Sequence, residues 1–272
     1  MYLPAADRLQ RRGSFDDVAG EYADARPGYP PAVFDTIVTR VPPPARVLEV
    51  GPGPGLATLP MAERGYAILG IELGQRLATV ARQRLRDFPN VEIIHADFES
   101  WEPTGRRFDV VLAASSWHWI EPQLAFDAAH HALSPGGHLA LVANHPRPGQ
   151  RGSAARAFWD ATDEIYRRHA PGILAGRSWS PHRLPFNAAT IKRSGLFNQV
   201  ERLTWRWSRE FTSEAYLRLL ETYSDHRALP DRERRALLAA MRETIDGRFG
   251  GVVQRVYWTH LHLARPARGA GA

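Results

Sequence analysis

The segment Val47-Leu-Glu-Val-Gly51-Pro-Gly53-Pro-Gly55-Leu-Ala-Thr58 concentrates the residues of this chain that could do chemistry. Glycines at the turn between a strand and a helix remove Cβ atoms and let a ligand approach the backbone closely. Glu49 lies two residues before Gly51, Glu72 lies 21 residues after it, and Asp97 follows in His95-Ala-Asp-Phe98. Carboxylates at the ends of successive parallel strands reach one rim, where an acid after the second strand can accept both hydroxyls of a ribose. A dinucleotide fingerprint needs Gly-x-Gly-x-x-Gly, yet Leu56 stands three residues after Gly53. Negative charge this close to the turn suits a ligand with a positive centre better than a pyrophosphate. The loop alone leaves open a tight turn without a ligand.

His118, in Ser115-Ser116-Trp117-His118-Trp119, is the candidate general base. An ordinary imidazole pKa near 6.5 would suit it, and shaping a pocket is its alternative role. His130 and His131 are adjacent on an expected helix and diverge by about 100°. His260 and His262 share a strand face without an acidic companion, so no metal site is expected. Gly176-Arg-Ser-Trp-Ser180 lacks the closing glycine of a nucleophile elbow, which argues against a serine hydrolase. Trp179, Trp205, Trp207 and Trp258 could line an aromatic acceptor pocket or pack in the core.

Short apolar runs of strand length, 46–50, 67–72, 91–96, 108–114 and 137–144, alternate with helical patterns at 74–87 and 122–133. Such alternation predicts an α/β fold: a Rossmann-like doubly wound sheet, mostly parallel with an antiparallel final strand, plus a helical cap. Pro42-Pro43-Pro44 and the stretch His145–Gly152 break the chain. They divide it into an N-terminal helical cap segment (1–44), a Rossmann-like core (45–146), a lid with sheet-completing strands (147–263) and a flexible tail (264–272). In the third part, helices are expected at 154–169, 188–194, 213–226 and 231–249, and strands at 200–211 and 252–263.

Residues 46–144 resemble the class I S-adenosylmethionine-dependent methyltransferases. The resemblance rests on Glu49-Val-Gly-Pro-Gly-Pro-Gly55, Glu72, Asp97-Phe98, Phe108-Asp-Val-Val-Leu112 and Ser134-Pro-Gly-Gly137. Outside the core, Phe15, Tyr22, Arg26-Pro-Gly-Tyr-Pro30, Thr222-Tyr-Ser224, Leu229-Pro230 and Tyr257-Trp-Thr259 are similar to a small-molecule branch that includes trans-aconitate methyltransferase-like proteins. The resemblance implies S-adenosylmethionine as cofactor and S-adenosylhomocysteine as product. By it, Glu49 and the backbone around Gly51 and Gly53 would hold the methionine amino end, Glu72 would take the ribose, and Pro52, Gly55 and Leu73 would also belong to the cofactor site. Asp97 and Phe98 would take the adenine, Ala114 and Ser115 would line the methionine part, and Tyr22 and Arg26 would meet the cofactor carboxylate.

The 272 residues are long enough for a sizeable core and contain no cysteine. That excludes disulfide scaffolds, Cys-ligated zinc, iron–sulfur clusters and thiol nucleophiles. No signal-peptide run or membrane-spanning stretch is present, so a cytoplasmic location is expected. The net charge of +6 is uneven: −4 over residues 1–145 and +10 over 146–272, with Lys192 the only lysine. Either a solvated arginine-rich surface or an acidic ligand accounts for the basic half. The leading expectation is methyl transfer to a small acidic or aromatic acceptor, at oxygen, with a homodimer left open. A nucleic-acid methyltransferase is the second reading, disfavoured because 114–117 reads Ala-Ser-Ser-Trp. A cofactor-binding protein without transferase activity is the third.

Overall fold

The computed structural model describes residue 16, residues 19–173 and residues 187–267, the side chains of 19, 21 and 22 excepted. Seven strands form one sheet in the order β3-β2-β1-β4-β5-β7-β6. They are β1 (Arg46–Val50), β2 (Ala67–Glu72), β3 (Val91–His95), β4 (Phe108–Ala114), β5 (Leu133–Arg147), β6 (Phe197–Thr212) and β7 (Val252–Pro266). Strands β1 to β5 run parallel, whereas β7 lies antiparallel to both β5 and β6. The parallel strands read as continuous Val, Ile and Leu because both faces are covered.

One face carries α5 (Pro122–Ala132), whose Ala125, Phe126 and Ala129 pack with Val111, Leu139 and Leu141. The other carries α2 (Pro31–Arg40) and α3 (Thr58–Ala62), whose Val33, Phe34, Ile37 and Met61 meet Val47, Val110, Leu112 and Val142. α1 (Ala19–Ala25) precedes them. α4 (Gln75–Arg84) starts at Gly74 without a side-chain cap of its own. Asp16 supplies one from a distance, its Oδ1 accepting from the amides of Arg76 at 2.7 Å and Leu77 at 2.9 Å.

A third cluster joins α6 (Ala154–His169), α8 (Ser213–Glu221) and α10 (Asp231–Phe249) to the ends of β6 and β7. It contains Phe158, Tyr166, Tyr216, Leu237, Phe211 and Tyr257. The short α7 (Ala188–Arg193) sends Ile191 into the opposite face.

The helix expected over 213–226 is two pieces, α8 and α9 (Ser224–Arg227), broken at Thr222–Tyr223. Thr222 turns its hydroxyl onto the carbonyl of Leu219 at 2.6 Å, a local competitor of the helical ladder. Strand β7 runs to Pro266 with Ala264 fully buried, so residues 264–266 are sheet and not tail. Ala264 pairs with Leu139 of β5, and Arg265 and Pro266 pair with Asn198 and Phe197 of β6. The remaining tail residues 268–272, and Trp179 with the 176–180 motif, lie outside the described residues.

Candidate active site

A cleft of about 850 Å³, open solvent at its mouth included, lies at the carboxyl ends of β1, β2 and β4. This is the switch point of the sheet order, where neighbouring crossovers diverge and leave a crevice. Gly51, Pro52 and Gly53 form one wall, Glu72, Leu73 and Phe98 another, and Ala114 and Ser115 the floor. All eight belong to the set expected from sequence. Tyr29, Ile71, Leu77, Ser116, Trp119 and Ile120 also line the cleft. Tyr29 sits in the expected Arg26–Pro30 motif, but only the fold brings its hydroxyl to Ser115 Oγ, to which it donates at 3.0 Å.

The loop is held by hydrogen bonds in two directions. Gly51 donates to the carbonyl of Ile71 at 2.9 Å. Glu72 accepts from the amides of Gly53 and Gly74, each at 2.8 Å, through separate oxygens. Gly51, Gly53 and Gly55 all have positive φ, at +65°, +57° and +86°. Ser115 adopts φ +61° at the end of β4, a left-handed conformation unusual for a residue with a Cβ. Ser116 donates its hydroxyl to the carbonyl of Val50, which ties the β4 end to the β1 end.

Glu49 is fully buried on the central strand β1, and neither of its oxygens has a hydrogen-bond partner of acceptable geometry. Burial pushes its carboxyl up to about 7; the nearby Thr58 hydroxyl opposes the rise and the Glu72 charge adds to it. Burial likewise raises Glu72, opposed by the amides of Gly74 and Gly53. A buried carboxylate without a partner is costly, and a cationic ligand group would relieve it. In the unliganded protein, Glu49 is protonated in the folded state and ionised in the unfolded state between pH 4.5 and about 7. The unfolded state then binds fewer protons, so stability falls as pH rises through that window, by about 3 kcal/mol. Glu49→Gln is expected to flatten the dependence of melting temperature on pH between 5 and 7.5 and to raise the melting temperature at pH 7.5. A profile parallel to that of the wild type would refute the assignment.

Other expected site residues lie elsewhere. Gly55 donates to the carbonyl of Pro52 at 3.0 Å and closes the turn beneath the cleft. Asp97 accepts from the amide of Glu99 at 3.1 Å, between cleft residues Ala96 and Phe98 but outside the wall itself. Arg26 donates to the carbonyl of Thr222 at 2.7 Å and lies 4.3 Å over the Tyr223 ring, so it faces the α8–α9 junction. The backbone of Tyr22 is in α1; its side chain lies outside the described set.

His118 stands beside the cleft, next to Trp119, and not in its wall. Burial and then the Arg26 charge push its imidazole down to about 4, away from the ordinary value expected. Strand alternation separates the tryptophans: Trp207 stacks on Tyr257 at 5.0 Å, while Trp258 faces the other side of β7 under Arg147. Trp207 and Trp258 therefore do not share one aromatic pocket, and Trp205 packs against the core cluster of α2 and α3. Among the described residues no group of histidines and acids could hold a metal ion.

The arrangement fits an adenosyl sulfonium ligand. Glu49 does not line the cleft but offers a buried carboxyl without a partner directly behind the cleft residue Val50, Glu72 retains lone pairs for hydroxyls, and the space above Gly53 is open within 4 Å of where a Cβ would stand.

Comparison with known proteins supports the same reading. Residues 48–141 match the family described as a methyltransferase domain. An uncharacterized methyltransferase of Mycobacterium tuberculosis is 28% identical over 216 residues, covering 78% of this chain and 76% of that one. The trans-aconitate 2-methyltransferase of Rhizobium leguminosarum bv. trifolii is 33% identical over 154 residues, 56% of this chain and 52% of that one. A solved structure assigned as a Type II methyltransferase from Anaeromyxobacter dehalogenans superposes with a TM-score of 0.63 at 24% identity, over 89% of this chain and 97% of that one. With the matched domain over residues 48–141, the seven-stranded order and the cleft together, the chain is similar to the class I S-adenosylmethionine-dependent methyltransferases and shares their fold.

Proposed function

We propose that the protein transfers the methyl group of S-adenosylmethionine to an oxygen of a small acidic acceptor. The observation that carries this reading is the position of the cleft. Its floor, Ser115, is linked through Tyr29 and Gly28 to Asn144 of β5 and Thr259 of β7, and these lead under the helices of the third cluster. With α6, α8 and α10 packed over the ends of β6 and β7, the arrangement suits a small molecule better than a duplex or a structured RNA. The likeness to a trans-aconitate 2-methyltransferase supports an acid.

Bound in the cleft, S-adenosylmethionine would supply an activated methyl carbon and a neutral thioether leaving group. Glu49 would face the cationic amino end and Glu72 the ribose hydroxyls. Phe98 and Leu73 would border the purine, and Ala114 and Ser115 would fix the methionine part. An acceptor carboxylate is already ionised near neutral pH and needs no base. A His118 with its pKa near 4 is therefore no obstacle, since it stays neutral and adds no charge at the acceptor. Orientation dominates such a displacement and is worth about 7–11 kcal/mol when the acceptor oxygen is held in line. In that displacement the acceptor oxygen would gain the O–CH3 bond as the S–CH3 bond breaks, with S-adenosylhomocysteine as the leaving product.

The test is incubation of the full chain with S-adenosylmethionine and a panel of small carboxylic acids, phenols and bulk RNA, read by mass spectrometry. Gain of one methyl group on an acid, labile to mild alkali as an ester is, is the expected result. Methylation of RNA in preference to every small molecule would replace the proposal with the nucleic-acid reading.

A further inference from the structure

At the covered end of β7, charge accumulates in a way that the cleft does not use. Arg255 is buried, and among the described residues no carboxylate pairs with it. Its Nη1 donates to the hydroxyl of Tyr216, its guanidinium lies 5.5 Å from the Trp159 ring, and its Nε has no partner. Two residues on, and so on the same face of the strand, Tyr257 is 1% exposed and its hydroxyl also has no partner. Arg209 stands directly opposite Arg255 across the β6–β7 ladder and donates to the carbonyl of Arg26 at 3.4 Å. Arg26 in turn covers Tyr223. Asp225 is held by His226, whose Nδ1 is 2.7 Å from its oxygen.

Like charges opposed across a sheet and a buried guanidinium without a counter-ion are both unfavourable. Burial opposes the charge of Arg255, and the surrounding tyrosines Tyr216, Tyr257 and Tyr223 outweigh it, so the group stays cationic. An orphaned N–H and an orphaned O–H on one strand face are two donors, the number that the two oxygens of a carboxylate take; a phosphate would call for more. The row continues from Arg255 and Tyr257 to Thr259, which donates to Asn144 at 2.6 Å, and Asn144 donates to Gly28 beside the cleft residue Tyr29.

We infer that Arg255 and Tyr257 form an anion subsite that holds a carboxylate of the methyl acceptor remote from its reacting atom. The inference rests on the proposed transfer to an acidic acceptor and names the residues that select it. It makes the preferred substrate a molecule with a carboxylate in addition to the methylated oxygen, such as a dicarboxylic acid.

The test uses the full chain saturated with S-adenosylhomocysteine and titrated by calorimetry with succinate, trans-aconitate, benzoate and inorganic phosphate. At least one carboxylate is expected to bind, and to bind at least tenfold more weakly to Tyr257→Phe and to Arg255→Lys. Tyr257→Phe is expected to keep the wild-type melting temperature and affinity for S-adenosylhomocysteine, because its hydroxyl makes no hydrogen bond in the fold. A Tyr257→Phe protein that binds the acids as well as the wild type would overturn the inference. So would phosphate binding above every carboxylate, or no acid binding at all. Failure of S-adenosylhomocysteine itself to bind the wild type would remove the proposed function and the inference with it, whereas its binding without any acid would remove the inference alone.

Discussion

Glu72→Ala is expected to lower the affinity for S-adenosylhomocysteine by a factor of roughly 100 or more, as read by calorimetry. The carboxylate has two tasks. One oxygen holds Gly53 of the loop and the other holds Gly74 at the start of α4, each at 2.8 Å. A hydrogen bond to a charged group contributes about 1.5–3 kcal/mol, so loss of both amide contacts costs about 3–6 kcal/mol before any contact to the ribose is counted. Glu72→Gln separates the two tasks. An amide offers one accepting oxygen and would direct its N–H2 at a backbone N–H, so one of the two glycine contacts must break. Its affinity should lie between those of wild type and Glu72→Ala. Binding by Glu72→Ala within threefold of the wild type would sink the assignment of the cleft.

The second large effect concerns two glycines that look equivalent in the sequence. A Cβ added at Gly51 would stand 2.7 Å from Ser116 Cβ, in addition to the strain of φ +65°. Ser116 cannot easily retreat, because its hydroxyl is bound to the carbonyl of Val50 and Gly51 is itself held by Ile71. Strain and overpacking of this kind each cost about 1–3 kcal/mol. Gly51→Ala should lower the melting temperature by about 5–15 °C and abolish cofactor binding. At Gly53, φ is +57° but nothing lies within 4 Å of an added Cβ. Gly53→Ala should therefore lose only about 1–2 kcal/mol of stability, from the left-handed backbone alone. Its cofactor affinity should fall further than its stability does, since the methyl group enters space a ligand would use. Equal melting temperatures for the two variants would show that the Ser116 contact is not the constraint.

The parallel half of the sheet was largely legible. Strands β1, β2 and β4 begin and end where their apolar runs do, because central strands covered on both faces leave no polar alternation to blur the ends. β5 begins at Leu133, four residues before the run at Gly137, since Leu133 pairs with Phe108 across an irregularity that no local pattern marks. The glycine loop and Glu72 carried their own signal in spacing. Trp119 and Ile120 did not, because their place in the cleft follows from a 3-10 turn after β4 that directs them back to the strand ends. Arg26 matched a motif yet faces the α8–α9 junction, a choice made by the break at Thr222 and invisible in the local sequence. Arg255 was one arginine among many. Its spacing to Tyr257 and Thr259 places all three on one strand face, but their burial depends on α6 and α8, and only tertiary structure shows it.

The insertion of β7 between β5 and β6 has a consequence for how the molecule is made. Of the seven strands it is synthesised latest, yet it occupies an interior place, so β5 keeps an open edge while the helices between them emerge. The strands β1 to β4 that frame the cleft are all synthesised before β7, whereas the β5–β7–β6 half is completed only when the final strand threads home. A chain halted before Val252 would thus leave β5 and β6 with bare borders, which would make it a target for chaperones.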